Sequence, residues 1–344
     1  MSVEVFLDDT PGEVRGVVSR DGRYHHLLIQ RENAVAQHRL GARSVGRIVD
    51  VQPGLKGAFV DLGPAPPLAF LPFRGSNPLA VGQKVEVEVV AEARERKGPT
   101  LRLTGPGQGE SRLLVEGPTV ADTLARLAPG MPVITGLAAL QAGLEAEDEA
   151  TAAGQIFADT GLDLRVERTR ALIAVDLDLS PVPGVSVGAP ARARANRQGL
   201  VEAARSIRLK RWGGLVAIDL IGVGHDGDAL MTAARLAFGA DPDVVFGPVS
   251  RFGVLQLSLP WRLTPLEEVL NGPDGRRRPE QRAQDVVRAL RARLLSDTGS
   301  PRVRARCAPD EAALAAAGVA KLGPRADLAI DAAFAPGAFV LEEV

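Results

Sequence analysis

Ala171-Leu172-Ile173-Ala174-Val175-Asp176 and Leu215-Val216-Ala217-Ile218-Asp219 are two short apolar runs that each end in an aspartate. Runs this short and branched, bounded by polar or glycine-rich sequence, read as buried strands. A carboxylate at the tip of a buried strand stands on a rigid support at the edge of a sheet. Two such strands side by side would bring Asp176 and Asp219 onto one cation. Oxygen ligands of this kind suit Mg²⁺ or Mn²⁺, which bind through one or two carboxylates and keep several waters. That arrangement is a common way to build a phosphodiester-cleaving site. Strand-end aspartates also cap loops and helices, so the pair has to be read with what lies between.

The intervening stretch runs from Asn196 to Gly214. Asn196 is a plausible N-cap and Gly213-Gly214 a plausible stop, which predicts a helix over 196–212. Leu200, Ala203, Ala204 and Ile207 share one face at helical spacing, and Arg197, Arg205, Arg208 and Arg211 fall on another. A basic helix leading into an acidic strand end could hold a phosphate backbone against a metal. A charged stripe is also what a solvated surface helix looks like.

At this point the sequence resembles the ribonuclease E/G family of RNA endonucleases. Asn196 to Asp219, with Glu202, Arg205, Arg208, Leu209, Gly213, Gly214 and Ile218 in place, is similar to that family's catalytic segment. Ala171 to Asp176 is similar to the strand of its first metal ligand, and Val249-Ser250-Arg251-Phe252-Gly253-Val254-Leu255 to its Ser-Arg-Phe-Gly signature. The resemblance implies an endoribonuclease acting on single-stranded RNA, with Asp176 and Asp219 holding Mg²⁺ and Arg205 and Arg208 contacting RNA. Asp178 takes the place of a family amide that orients the scissile group. The loop Leu179 to Gly188 carries no Arg or Lys where the family pattern is basic, and Gly222 replaces an acidic residue. The alternative is therefore a non-catalytic RNA-binding protein of the same family, acting in ribosomal RNA maturation.

Outward from this core, 160–270 read as an α/β catalytic domain with a mixed sheet, because strands and helices alternate. Within it, Asp228 is the expected N-cap of a helix over 229–238. Residues 1–35 read as a strand hairpin, 14–20 and 24–30 about Asp21-Gly22, packing on the core. Over 36–105, five short strands (45–51, 57–63, 70–72, 84–89 and 100–104) suggest an inserted barrel of the OB type. By resemblance this is the RNA-binding domain, with Phe59 and Phe70 stacking bases and Lys97 meeting a phosphate. Read without the resemblance, the two phenylalanines fill the barrel core and Lys97 sits on a surface turn.

Residues 106–159 form a shortened region with helices over 120–127 and 141–153, too short for the family's 5′-monophosphate sensor. After a linker at 271–279, residues 277–344 make a small C-terminal α+β domain. The single cysteine, Cys307, excludes an internal disulfide and a cysteine-cluster zinc site, so no zinc is expected and any homodimer is not zinc-linked. No apolar stretch approaches the ~20 residues of a membrane span, and the N-terminus lacks a signal-peptide pattern, so a cytoplasmic location is the default. The net charge of −1 does not advertise a nucleic-acid binder, but residues 192–211 hold seven Arg or Lys against one Glu. Only five of the 41 basic residues are Lys, so abundance of Arg is by itself weak evidence of phosphate binding.

Overall fold

The computed structural model describes residues 2–63, 66–73, 79–95, 97–180, 188–224, 226–299 and 302–344. The chain divides into two compact units, Met1–Glu147 with Thr264–Val344, and Asp148–Leu263. Loop residues 181–187, in which the sequence lacks basic side chains, lie outside the described residues.

The first unit opens with an antiparallel meander, β1 (Val3–Asp8), β2 (Glu13–Arg20) and β3 (Arg23–Arg31). The expected hairpin is present, turning at Asp21-Gly22, and β1 is an addition to it. A five-stranded closed barrel follows, from β4 (Arg43–Gln52), β5 (Gly57–Asp61), β6 (Ala69–Pro72), β7 (Lys84–Ala91) and β8 (Thr100–Pro106). The ring runs β4–β5–β6–β8–β7 and back to β4, with β6 and β8 parallel. Strict alternation builds it: in Lys84-Val85-Glu86-Val87-Glu88-Val89 the valines point inward and the charges outward. A further strand, β9 (Arg112–Val115), pairs with β4, so strand pairing continues past the boundary expected at 105. Then come α1 (Val120–Leu127), β10 (Val133–Ile134) parallel to β1, and α2 (Leu137–Thr151). A capping box between Thr119 and Asp122 starts α1, whose Val120 and Leu124 pack with Val5 and Val18.

The second unit contains β11 (Gly154–Phe157), β12 (Leu162–Arg168), β13 (Ile173–Leu179), α3 (Ala189–Leu209), β14 (Gly214–Asp219), α4 (Gly227–Phe238), β15 (Val245–Val249) and β16 (Val254–Leu259). Its mixed sheet has the order β11-β12-β13-β14-β16-β15. Only β13 and β14 pair in parallel, and α3 is the crossover that such a pair needs. Ile173, Val175, Leu177, Val216, Ile218, Leu255 and Leu257 face Leu200, Ala203 and Ile207 of α3 and Leu230, Ala234 and Phe238 of α4 in one core. At about 1.5–3 kcal/mol for each large apolar side chain buried, this layer outweighs the modest local propensities of either helix.

Two expectations are corrected here. Helix α3 begins at Ala189, not Asn196: Pro190 sits in the first turn, where its missing N–H costs nothing. The N-cap of α4 is Asp226, whose carboxylate accepts the Ala229 N–H at 3.0 Å, and Asp228 lies inside the first turn.

The chain returns to the first unit with α5 (Leu266–Leu270), α6 (Pro279–Ser296), β17 (Val303–Cys307), α7 (Pro309–Lys321), β18 (Ala326–Ile330) and β19 (Phe339–Glu343). The sheet β18-β17-β19 packs on α6 and α7, with Cys307 buried in its core, and belongs to the same compact unit as the N-terminal strands. A buried ionic network fastens α6 to the N-terminal strands. Glu13 meets Arg288 at 2.8 Å, Arg15 at 2.9 Å and Arg31 at 3.0 Å, while Arg291 reaches Asp8 at 3.1 Å. Burial alone would raise the Glu13 carboxyl, but Arg288, Arg15 and Arg31 overcome it and hold it at about 2. Arg288 is itself pulled down by burial and by Arg15; an interior guanidinium stays charged, so that depression is a cost the network carries. Among the described residues no helix is long and apolar enough to cross a membrane.

Candidate functional site

Strand register decides what the two aspartates can do. Asp176 of β13 and Asp219 of β14 are paired residues in the parallel ladder, and both are exposed on the sheet face away from α3 and α4. Asp219 ends its strand as expected, but β13 runs on to Leu179 by pairing with β12, so the expected place of Asp176 at a strand tip is corrected. Asp178, two residues on, points to the same face. Across β12, Arg165 is the partner of Asp176 and Asp163 of Asp178, and these two form an ion pair at 3.2 Å. The Asp176 carboxyl is raised above the usual carboxylate range, first by burial, then by the charges of Asp219, Asp178 and Asp163, with Arg165 opposing. A cation between Asp176 and Asp219 would relieve that repulsion.

Among the described residues no group of three or more His, Cys, Asp or Glu side chains is arranged to hold a metal. A cation here would rest on two carboxylates and water, the manner in which Mg²⁺ is commonly held. The residues present fit such an ion.

The end of β14 is supported from α3. Asn196, 1 % exposed, accepts the Ile221 N–H at 2.9 Å and donates to the Ile221 carbonyl at 3.2 Å. It clamps the chain two residues beyond Asp219. A Cβ placed on Gly222 would come within 3.2 Å of Arg192 Nε, so an arginine lies against this loop. Arg194 and Arg197 are exposed on the same N-terminal half of α3.

Arg205 and Arg208 sit elsewhere. From Asn196 to Arg208 is twelve residues, about 18 Å along the axis at 1.5 Å each. Arg205 is 4 % exposed and paired with Glu202 at 2.7 Å and Glu149 at 2.6 Å, so a phosphate would have to displace two carboxylates to reach it. Arg208 is half-buried. The structure brings Asp176, Asp178 and Asp219 together and leaves these two arginines apart from them. Asn196 and Arg192 stand against the chain just past Asp219.

On the barrel, Phe59 and Phe70 are cross-strand partners whose rings meet edge to face at 5.6 Å. The barrel core is built from Ala58, Val60, Ala69 and Leu71, the neighbours of each in sequence, so the phenylalanines point outward and are half-buried. The reading in which they fill the core is thereby corrected. The Phe70 ring lies over Gly57, where a Cβ would fall 2.1 Å from Phe70 Cζ. Lys97 is exposed in a tight turn that exchanges backbone hydrogen bonds with Arg94, two residues before the Pro99 carbonyl that accepts the Phe70 N–H at 2.8 Å. Phe59, Phe70 and Lys97 are therefore held in one region. Lys56, exposed beside Gly57, adds a second lysine that the sequence reading passed over. No family model matches the sequence, and no curated protein matches it.

Proposed function

We propose that this chain is a divalent-metal-dependent endoribonuclease acting on single-stranded RNA. The observation that carries the reading is the register of Asp176 with Asp219 on an exposed sheet face, where Asp219 closes β14 and Asn196 steadies the chain just beyond it. Asp176 and Asp219 would hold Mg²⁺ or Mn²⁺, which when bound polarises a phosphodiester and lowers the pKa of bound water. Asp178 and Asp163 deepen the negative field that draws the cation. Arg192 of α3, which lies against Gly222 just past Asp219, supplies a positive charge near this strand end for the phosphate that a carboxylate cluster alone would repel.

The barrel supports the RNA half of the proposal. Its strand order and parallel β6–β8 closure agree with an OB barrel, in which outward aromatic rings stack bases while lysines meet phosphates. Phe59, Phe70, Lys97 and Lys56 provide both.

The test is cleavage of a 5′-labelled, AU-rich single-stranded RNA in Mg²⁺ by the wild type and by Asp176→Asn and Asp219→Asn. Internal, metal-dependent cuts lost in both variants are expected. Tight binding without cleavage, indifferent to either substitution, would replace this proposal with the non-catalytic RNA-binding protein.

A further inference from the structure

The β15–β16 hairpin turns at Ser250-Arg251-Phe252-Gly253, and this turn stands at the same end of the sheet as Asp219. Val254, the first residue of β16, is the register partner of Asp219. The Leu220 N–H donates to the Gly253 carbonyl at 3.2 Å, tying the turn to the chain just past Asp219. A cross-strand pair is about 5 Å apart and two further residues reach at most about 7 Å, so the Cα atoms of Phe252 and Asp219 lie within about 13 Å.

The turn is rigid. Ser250 N–H donates to Val254 O at 2.8 Å and Gly253 N–H to Ser250 O at 3.0 Å. Ser250 Oγ accepts from the N–H groups of Phe252 and Val254 at 3.3 and 3.2 Å. Gly253 supplies the positive φ of 84° that closes the turn.

On this support the Phe252 ring is 71 % exposed, the one aromatic side chain among the described residues that is not at least half-buried. The Arg251 guanidinium lies 4.7 Å from its centroid. Lone exposed apolar residues are common and need no function. Here the ring is pre-ordered by a cation and a four-bonded turn, beside a carboxylate pair that would otherwise meet only the phosphate of a substrate. Val223, 81 % exposed in the loop after Asp219, adds a second apolar surface at this end of the sheet.

Resting on the nuclease reading above, we infer that Arg251 and Phe252 form a nucleobase-stacking platform that seats one base next to the scissile phosphodiester. Phe252 offers the π-face and Arg251 the cation for that nucleotide's phosphate. Stacking of this kind tolerates any base, so the platform positions the strand and sets affinity without reading sequence. Arg251 and Phe252 are positioning residues, not catalytic ones.

The test compares wild type, Phe252→Ala and Phe252→Trp on single-stranded RNAs carrying one abasic ribose, moved position by position past the cut. Phe252→Ala should raise KM about tenfold with kcat within about twofold, and Phe252→Trp should restore KM. One abasic position should weaken the wild type and leave Phe252→Ala unchanged, because the lost contact is the same. Equal sensitivity of wild type and Phe252→Ala to every abasic position would overturn the inference. If the wild type cuts nothing, the nuclease reading falls separately, and 2-aminopurine fluorescence in bound RNA decides. Quenching lost in Phe252→Ala and regained in Phe252→Trp sustains the platform, whereas quenching that ignores residue 252 removes it. Loss of self-association in Phe252→Ala with unaltered RNA behaviour would assign the ring to a protein contact instead.

Discussion

Asn196 offers the most direct test of how the candidate site is held. Its amide makes both hydrogen bonds to the backbone of Ile221, in a position that is almost wholly buried. In Asn196→Ala the Ile221 N–H and C=O lose their partner together. At about 1–3 kcal/mol for each buried polar group left unpaired, the variant should lose about 2–6 kcal/mol of stability. Asn196→Asp is the sharper probe. The new carboxylate still accepts from the Ile221 N–H, but its second oxygen faces the carbonyl, which only a protonated carboxyl can satisfy. Its pKa in the fold is therefore raised, so the variant is most stable at low pH and loses stability as pH rises through that value. Trp212 and Trp261 are the only tryptophans and both lie in the second unit, so their fluorescence in a urea titration reads this unit. Deficits below about 0.5 kcal/mol for Asn196→Ala, or a deficit in Asn196→Asp that ignores pH between 4 and 7, would refute the clamp.

Glu13 gives a second pH signature: from an ordinary 4.5 down to about 2 is about 2.5 pH units at 1.36 kcal/mol each, so its ionised form contributes about 3 kcal/mol. Because the folded pKa is depressed, that stability is complete above pH 4.5 and is lost as pH falls toward 2. The Glu13→Gln penalty, followed by circular dichroism in urea, should shrink over that window, and a constant penalty would contradict the network. Asp176 behaves in the opposite sense, since its raised pKa makes the ionised form a cost in the fold. Asp176→Asn should therefore melt higher than wild type at neutral pH without metal and lose the advantage below pH 3.8, and a lower melting temperature would count against the crowded carboxylates. Gly57→Ala should evict the Phe70 ring, weakening single-stranded RNA binding by about 1–3 kcal/mol with little change in melting temperature. Unaltered affinity in a fluorescence-anisotropy titration would argue against base stacking on the barrel.

Much of the fold was readable because burial in it is periodic. The barrel strands alternate residue by residue, and the Ile173–Leu177 and Val216–Ile218 runs present one apolar face each, so period alone identifies them. What escaped has a physical reason in each case. β10 is two residues long and β9 leaves Leu114 and Val115 exposed, so neither carries an inward pattern. The first turns of α3, Ala189-Pro190-Ala191-Arg192-Ala193-Arg194-Ala195, alternate alanine with larger residues and hide a helical period behind a period of two. Pro190 in that first turn starts the helix and does not break it. That one error of seven residues moved Asn196 from a cap, where it would face solvent, into the helix interior, where it faces Ile221.

The start of α3 also decides which basic residues stand near the end of β14. A crossover helix between two parallel neighbours must carry the chain from the C-terminal end of the first strand to the N-terminal end of the second. Whatever stands at the strand ends therefore meets the first half of the helix, never the last. Helix α3 has 21 residues, about 30 Å at 1.5 Å each, so the choice of half matters by more than a Debye length in ordinary salt. Read from Asn196, the helix appears to deliver Arg205 and Arg208 to Asp219 because they precede it closely in sequence. Read from Ala189, its first turn sets Arg192 against Gly222, just past Asp219, and Arg205 is left to neutralise Glu202 and Glu149. Proximity in sequence to a strand's start is distance in space from its end, and in a strand–helix–strand unit the chemistry gathers at the end.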